Sequence, residues 1–270
     1  MEERFLSEER RRAILEAIRR EGTVRTRDVM TRFGVSDMTV RRDLESLEGA
    51  GLLVRTRGGA VAASEASHPY QPYSVRARRQ EAEKAAIAQA AAGLVQPGMT
   101  VALNAGTTTT EIARLIRQLR VTVVTNSLSI AREAHDPAGA TVLVTGGVYR
   151  PGGEALVGEW THQNLEGVFA DVAFIGFSGL KNSSSFAVVD PDEAAASRRL
   201  LRTARRVVMV ADSSKFARPA ASPVAPFAAA HVVISDAALA PRLRELLENQ
   251  GVELITATPK PETATRRSRE

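Results

Sequence analysis

The sequence predicts a small winged helix-turn-helix followed by a larger α/β domain. Two observations predict this fold class: three short helical patterns and a hairpin with two glycines fill residues 1–62, and helices alternate with apolar strands from residue 81 onward. A length of 270 residues is sufficient for two domains. We therefore predict a linker over 63–80, an α/β domain over 81–258 and a disordered tail over 259–270.

The first two helices of the small domain are defined by their ends. Ser7 can cap the first helix with its hydroxyl, and Gly22 ends it. A second helix is predicted from about Thr26 and is broken at Gly34. A short break between two helices is typical of the helix-turn-helix.

Ser36 can cap a third helix, which carries the candidate DNA-reading surface. Val40, Leu44 and Leu47 fall at i, i+4 and i+7 and line its buried side. The outward side then carries Met38, Arg42 and Glu45, and Thr39 and Arg41 lie on its flanks. Recognition helices meet base edges near their N-terminal end, and arginine can make two parallel hydrogen bonds to guanine. We therefore predict base contacts here; the alternative is a solvated helix face.

A hairpin follows the third helix. Residues 52–56 are typical of a short strand, and Gly58-Gly59 gives the backbone freedom to turn it back through residues 60–62. Arg55 and Arg57 flank the tip of this wing. We predict that they reach phosphates or the minor groove beside the helix.

These residues resemble the N-terminal signature of the DeoR-type bacterial transcriptional regulators. The motifs that carry the resemblance are Glu9-Arg10-Arg11-Arg12-Ala13-Ile14-Leu15, Phe33-Gly34-Val35-Ser36, Thr39-Val40-Arg41-Arg42-Asp43-Leu44 and Gly51-Leu52-Leu53-Val54-Arg55-Thr56-Arg57-Gly58-Gly59-Ala60. The resemblance implies that Ser36, Thr39, Arg41 and Arg42 contact DNA. The family often has a histidine before the double glycine, where this chain has Arg57.

The larger domain is predicted to hold a mostly parallel sheet covered by helices. The candidate strands are residues 100–103, 121–125, 141–145, 172–175, 207–211, 231–235 and 252–255, and the candidate helices are 81–94, 109–119, 193–204 and 239–250. In such sheets, ligands bind beyond the carboxyl ends of the strands. The residues that follow each strand are therefore candidates for a binding site.

Small and polar residues collect at these strand ends. They are Asn104, Gly106, Thr107, Thr108 and Thr109 after the first strand, Thr125, Asn126 and Ser127 at the second, Gly146 and Gly147 after the third, and Lys215 after the fifth. A glycine and hydroxyl loop that opens into a helix presents backbone N–H groups to an anion, and a lysine adds charge. Each motif alone also has a structural explanation as a helix cap or a turn. Their convergence predicts an anion pocket.

The resemblance to the DeoR type extends through this domain. Its motifs are Gly106-Thr107-Thr108-Thr109, Val123-Val124-Thr125-Asn126-Ser127-Leu128, Gly146-Gly147, Ala173-Phe174-Ile175-Gly176 and Ala211-Asp212-Ser213-Ser214-Lys215-Phe216. The resemblance implies a Rossmann-like effector domain akin to ribose-5-phosphate isomerase and CoA transferases, with a sugar phosphate or related metabolite as effector. Asn104 stands where the family usually has an aspartate, which removes a negative charge beside the loop.

The alternative function is a sugar-phosphate isomerase or a CoA-transferase-like enzyme with an N-terminal appendage. Enolisation needs a carboxylate base in the pocket, and the loop over residues 177–181 has none. Asp192 and Glu193 are assigned to the start of the next helix. We therefore predict a sensor with no catalytic residues. The four scattered histidines and the lack of a nucleotide-binding glycine motif predict neither a metal nor another cofactor.

Composition agrees with a DNA-binding protein of the cytoplasm. The formal net charge is +5, no apolar run is long enough to span a membrane, and the chain has no cysteine. The predicted partners are a double-stranded DNA operator and a sugar-phosphate-like effector, with no membrane partner. Family analogy and the symmetry of operators predict a homodimer or homotetramer.

Overall fold

A computed structural model describes residues 7–21, 23–49, 52–56, 58–62 and 71–259. The chain divides into two compact units, Met1–Val75 and Arg76–Glu270. Residues 63–70 of the predicted linker and residues 260–270 of the predicted tail lie outside the described residues. The predicted linker is not irregular throughout, because a short helix, α4 (Tyr73–Ala77), spans the boundary between the units.

The N-terminal unit contains the predicted helices and hairpin. Its elements are α1 (Ser7–Glu21), β1 (Thr23–Arg25), α2 (Thr26–Phe33), α3 (Asp37–Gly49), β2 (Leu53–Thr56) and β3 (Gly59–Ala62). The strands pair antiparallel in the order β1-β3-β2. Strand β1 was not predicted, because three residues between two helices carry no periodic signal.

One apolar cluster holds these elements together. Its buried members are Ile14 and Ile18 of α1, Val29 of α2, Val40, Leu44 and Leu47 of α3, and Leu53 and Ala60 of the hairpin. The buried side predicted for the third helix is therefore confirmed. Burial of this side fixes which residues α3 turns outward.

The two glycines of the hairpin have different reasons to be glycine. Gly58 has φ +92°, a conformation that other residues rarely adopt. Gly59 pairs with Arg25, and a Cβ at Gly59 would lie 2.0 Å from the carbonyl oxygen of Val24. The turn thus needs both glycines, the second one for the close approach of β1.

A buried carboxylate ties α1 to α3. Asp43 is 2% exposed, and its two oxygens accept hydrogen bonds from Arg10 Nε at 2.5 Å and Arg11 Nε at 2.9 Å. Arg10 is itself buried. Because burial of charges is costly unless they are paired, this cluster fixes the position of the third helix.

The C-terminal unit is an α/β domain. After α4 its elements are α5 (Glu81–Ala92), β4 (Thr100–Leu103), α6 (Thr107–Ile116), β5 (Thr122–Thr125), α7 (Leu128–Glu133), β6 (Thr141–Val144), β7 (Val148–Arg150), β8 (Ala155–Val157), α8 (Glu159–Gln163), β9 (Ala170–Gly176), β10 (Gly179–Lys181), β11 (Ser185–Val188), α9 (Pro191–Arg202), β12 (Ala204–Val210), β13 (Ser222–Pro226), β14 (Val232–Asp236), α10 (Pro241–Glu248) and β15 (Glu253–Ala257).

Within residues 71–259, seven parallel strands form one sheet in the order β15-β14-β12-β9-β4-β5-β6. Each face of the sheet has its own apolar cluster: Val172 and Phe174 of β9 belong to one, Ala173 and Ile175 to the other. The predicted parallel sheet is confirmed, and its seven predicted strands match within a few residues. The smaller sheets formed by β7, β8, β10, β11 and β13 were not predicted. No helix in the described part of the chain is both long and apolar enough to cross a membrane.

Candidate functional sites

The turn before α3 sets the start of the candidate DNA-reading helix. Gly34 ends α2 in the left-handed conformation, and its N–H donates to the carbonyl oxygen of Met30. The carbonyl oxygen of Ser36 then accepts hydrogen bonds from the N–H groups of Thr39 and Val40. The Ser36 hydroxyl accepts a further hydrogen bond from the N–H of Thr39 at 3.3 Å. The capping role predicted for Ser36 is therefore confirmed.

The outward side of α3 has the exposure predicted for it. Met38 is 62% exposed, Arg41 and Arg42 are exposed, and Thr39 is half-buried beside the Ser36 hydroxyl. Arg41 Nε lies 2.7 Å from Asp37 in a solvent-exposed ion pair. Such pairs contribute little to stability, so Arg41 can exchange Asp37 for another anion at small cost.

The wing is connected to the same helix through Arg55. Its guanidinium lies 2.8 Å from Glu45, and its backbone N–H donates to Glu48 at 2.9 Å. Arg55 is therefore held by acidic side chains of α3, and it must leave Glu45 to bind a phosphate. Arg57, the other predicted wing contact, lies outside the described residues.

In the C-terminal unit, a pocket opens where three neighbouring strands end. The residues that follow β4, β9 and β12 line it, among them Gly106, Thr107, Thr108, Ser178 and Lys215. These strands are adjacent in the sheet. The carboxyl ends of parallel strands are the common place for ligands, so we treat this anion pocket as the candidate effector site.

The first turn of α6 forms one wall of the anion pocket. No side chain caps this helix at Gly106. The hydroxyls of Thr109 and Thr110 donate to the Gly106 carbonyl oxygen at 3.0 and 2.8 Å, whereas Thr107 and Thr108 line the pocket. The first turn of a helix, whose backbone N–H groups lack partners within the helix, therefore lines a cavity, as it does in phosphate sites.

Lys215 supplies positive charge to the anion pocket. It ends a short 3-10 turn, Ser213–Lys215, which is fixed by Asp212 accepting from the N–H of Ser214 and by Asp236 accepting from the N–H of Ser213. Burial lowers the pKa of Lys215 to about 8, and Asp212 partly offsets this effect. Lys215 is half-buried, and an ammonium partly removed from water gains more from an anionic ligand than a fully solvated one does.

Two further charged residues line the anion pocket, and the sequence did not assign them to it. Arg76 falls within the predicted linker, and Glu193 lies in the first turn of α9. Glu193 lies in the first turn of its helix, as predicted, and it also lines the pocket. The anion pocket therefore contains one carboxylate, which the sequence did not place there.

Several predicted effector residues instead hold the pocket together through backbone hydrogen bonds. Asn104 binds both the N–H and the carbonyl oxygen of Gly176, at 2.7 and 2.9 Å. Asn126 accepts from the N–H of Ala105 at 3.1 Å and donates to the Leu156 carbonyl oxygen. Thr109, Thr125 and Ser127 are likewise buried with backbone partners. These side chains therefore connect backbone segments near the strand ends.

Gly146 and Gly147 lie in the turn after β6 and do not line the anion pocket. Both have positive φ, +67° and +123°. A Cβ at Gly147 would lie 2.3 Å from the Thr161 hydroxyl, so the backbone approaches α8 closely there. The described residues contain no group of three histidines or acidic residues that could hold a metal ion.

Two stretches of the chain match known domains. Residues 79–237 match the DeoR C terminal sensor domain, and residues 10–66 match the DeoR-like helix-turn-helix domain. The helix-turn-helix match contains α3. The sensor-domain match contains every charged residue of the anion pocket except Arg76.

Curated relatives match over nearly their full length. The chain is 33% identical to the putative aga operon transcriptional repressor of Escherichia coli O157:H7. The matched region covers 92% of this chain and 93% of that protein. It is 30% identical to the transcriptional repressor GlcR of Bacillus subtilis strain 168, over 92% of this chain and 95% of the relative. Among solved structures, ribose 5-phosphate isomerase A of Methanocaldococcus jannaschii is 18% identical with a TM-score of 0.36, over 49% of this chain and 53% of that one.

Proposed function

Because the chain belongs to the DeoR family of transcriptional regulators, we propose that it represses genes of carbohydrate metabolism and that a phosphorylated sugar or related metabolite controls its affinity for the operator. The family consists of regulators, so the predicted enzyme alternative is set aside. One observation carries the proposal: the uncapped first turn of α6 and Lys215 line one pocket in the sensor domain.

The chemistry of the anion pocket supports a phosphorylated ligand with hydroxyl groups. Lys215 and the N–H groups of Thr107 and Thr108 suit a phosphate. Ser178 and Glu193 can exchange hydrogen bonds with sugar hydroxyls, since a carboxylate accepts them. An unphosphorylated sugar would lack the charged group that pairs with the half-buried ammonium of Lys215, so we expect it to bind more weakly.

The experiment that tests the proposal is DNA-binding anisotropy on the promoter region beside the protein's own gene. The titration is repeated with a panel of sugar phosphates and their unphosphorylated parents. We expect at least one phosphate ester to change DNA affinity by about 5- to 150-fold, with its parent inactive. If no member of the panel changes the affinity of a protein that binds the promoter, the proposed effector class is wrong.

Arg42 is proposed to read a base with its guanidinium. Replacing Arg42 with alanine should weaken binding to the operator by about 1–3 kcal/mol and relax specificity at one base pair. Anisotropy titrations on the operator and on its single-base variants measure both effects. Arg12→Ala is the matched control, because it removes another exposed arginine of the same unit, from α1. Equal losses of operator affinity in the two variants would mean that Arg42 contributes only general electrostatic attraction to DNA.

We propose that the protein works as a homodimer or homotetramer, with effector units pairing through β6. Strand β6 is at the edge of the seven-stranded sheet formed by the described residues. The surface beside it exposes several large apolar side chains: Leu128, Leu143, Val144, Val148 and Tyr149. Apolar surface of this kind on a soluble domain is typical of an interface, and two DNA-binding units suit two half-sites.

Val144→Asp should dissociate the oligomer, because it places an unpaired carboxylate in the proposed contact. Light scattering coupled to size-exclusion chromatography should show the molar mass of one chain for this variant and a multiple of it for the wild type. Phe169→Asp is the control, since Phe169 is 84% exposed and directly precedes β9. A Val144→Asp protein that keeps the wild-type mass would place the interface elsewhere.

A further inference from the structure

Arg76 is a basic residue that lines the anion pocket together with Lys215. It lies in the last turn of α4 and is the first residue of the C-terminal unit. One guanidinium N–H donates to the carbonyl oxygen of Gly152 at 3.3 Å. A guanidinium carries five N–H donors in a planar fork, so it can bind a backbone carbonyl and an anion together.

The backbone of Arg76 is held in place by a buried lysine. Lys84 of α5 is 3% exposed, and its Nζ donates to the carbonyl oxygen of Arg76 at 3.0 Å and to that of Ala77. Burial lowers the pKa of Lys84, while Glu111 and Asp212 partly offset this effect. Lys84 does not line the anion pocket. Its ammonium is directed to the end of α4, where the last carbonyl groups of a helix lack partners within the helix.

We infer that Arg76 binds the effector phosphate together with Lys215, and that Lys84 is the positioning residue that holds Arg76 at the pocket. This inference rests on the proposed function. In the sequence, Arg76 is the first residue of the C-terminal unit and directly follows Val75, the last residue of the N-terminal unit.

The test uses the full-length protein and inorganic phosphate as the probe, with binding followed by NMR titration. Arg76→Gln should weaken phosphate binding at least tenfold. Arg78→Gln, which removes an exposed arginine two residues away, should bind as the wild type does. Equal affinities of the Arg76→Gln and Arg78→Gln proteins, with Lys215→Ala impaired, would overturn the role of Arg76 and leave the proposed pocket intact.

A double-mutant cycle tests the positioning role of Lys84. If Lys84 acts through Arg76, Lys84→Met weakens phosphate binding in the wild type but causes no further loss in the Arg76→Gln protein. Additive losses would overturn this role. If Lys84→Met does not fold, as judged by circular dichroism, Arg76→Gln against Arg78→Gln still decides the inference. A wild-type protein that binds no phosphate, or a Lys215→Ala protein with unchanged affinity, would instead contradict the proposed function.

Discussion

Lys215→Ala is expected to abolish the response to the effector while DNA binding stays measurable. The variant removes the ammonium of a residue that lines the anion pocket together with the start of α6. A hydrogen bond to a charged group contributes about 1.5–3 kcal/mol, so effector affinity should fall by about 10- to 160-fold. Calorimetric titration with the active sugar phosphate measures the loss, and operator anisotropy without effector serves as the control. Unchanged effector affinity would mean that the pocket is placed wrongly.

The same residue predicts how effector affinity depends on pH. The pKa of Lys215 is about 8, so its ammonium loses a proton as the pH rises through 8, whereas a phosphate monoester is already a dianion there. Affinity should therefore decline above pH 8, approaching tenfold per pH unit. The other charged groups near this ammonium are Asp212, Arg218, Arg76, Lys84 and Glu193. Lys215→Arg keeps its charge, so its profile should be flat between pH 7 and 9.5.

Asp43→Ala is expected to unfold the DNA-binding unit at moderate temperature. The substitution leaves the buried Arg10 guanidinium without its carboxylate, and Arg11 loses the same partner. Removing one member of a buried ion pair typically costs about 3–5 kcal/mol, a large part of the stability of a small domain. Urea unfolding followed by circular dichroism, together with operator binding, measures the change.

A matched variant on the same helix controls for the loss of an ion pair as such. Asp37→Ala breaks the ion pair between Asp37 and Arg41. The Asp37 side chain is 48% exposed and the Arg41 side chain is 62% exposed. Exposed pairs contribute about 0–1 kcal/mol, so this variant should unfold close to the wild type. If Asp43→Ala were no less stable than Asp37→Ala, the cluster of Asp43 with Arg10 and Arg11 would not determine the position of α3.

The surface of α3 could be predicted from sequence because it depends on local spacing. The i, i+4 and i+7 positions of Val40, Leu44 and Leu47 determine which side is buried, and Ser36 determines where the helix starts. The same holds for the strands of the parallel sheet, whose continuous apolar runs are distinctive. Strands of three residues, such as β7 and β8, are too short to show a period.

The anion pocket could be predicted only in part, because its walls come from distant segments. Thr107, Thr108 and Lys215 follow strands directly, and the position of strand ends is a general property of parallel sheets. Arg76 and Glu193 reach the pocket from helices, which no strand-end argument includes. A sequence also does not show that the Asn104 side chain turns to the backbone of Gly176 rather than to the cavity.

If effector and operator binding are coupled, each ligand changes the affinity of the protein for the other by the same factor. The effector affinity is measured by calorimetry with and without saturating operator DNA, and the operator affinity is measured with and without saturating effector. The two ratios must be equal if the sites are coupled, and we expect a factor of about 5–150. An effector affinity that is the same with and without operator DNA would contradict the coupling, however tightly each ligand binds alone.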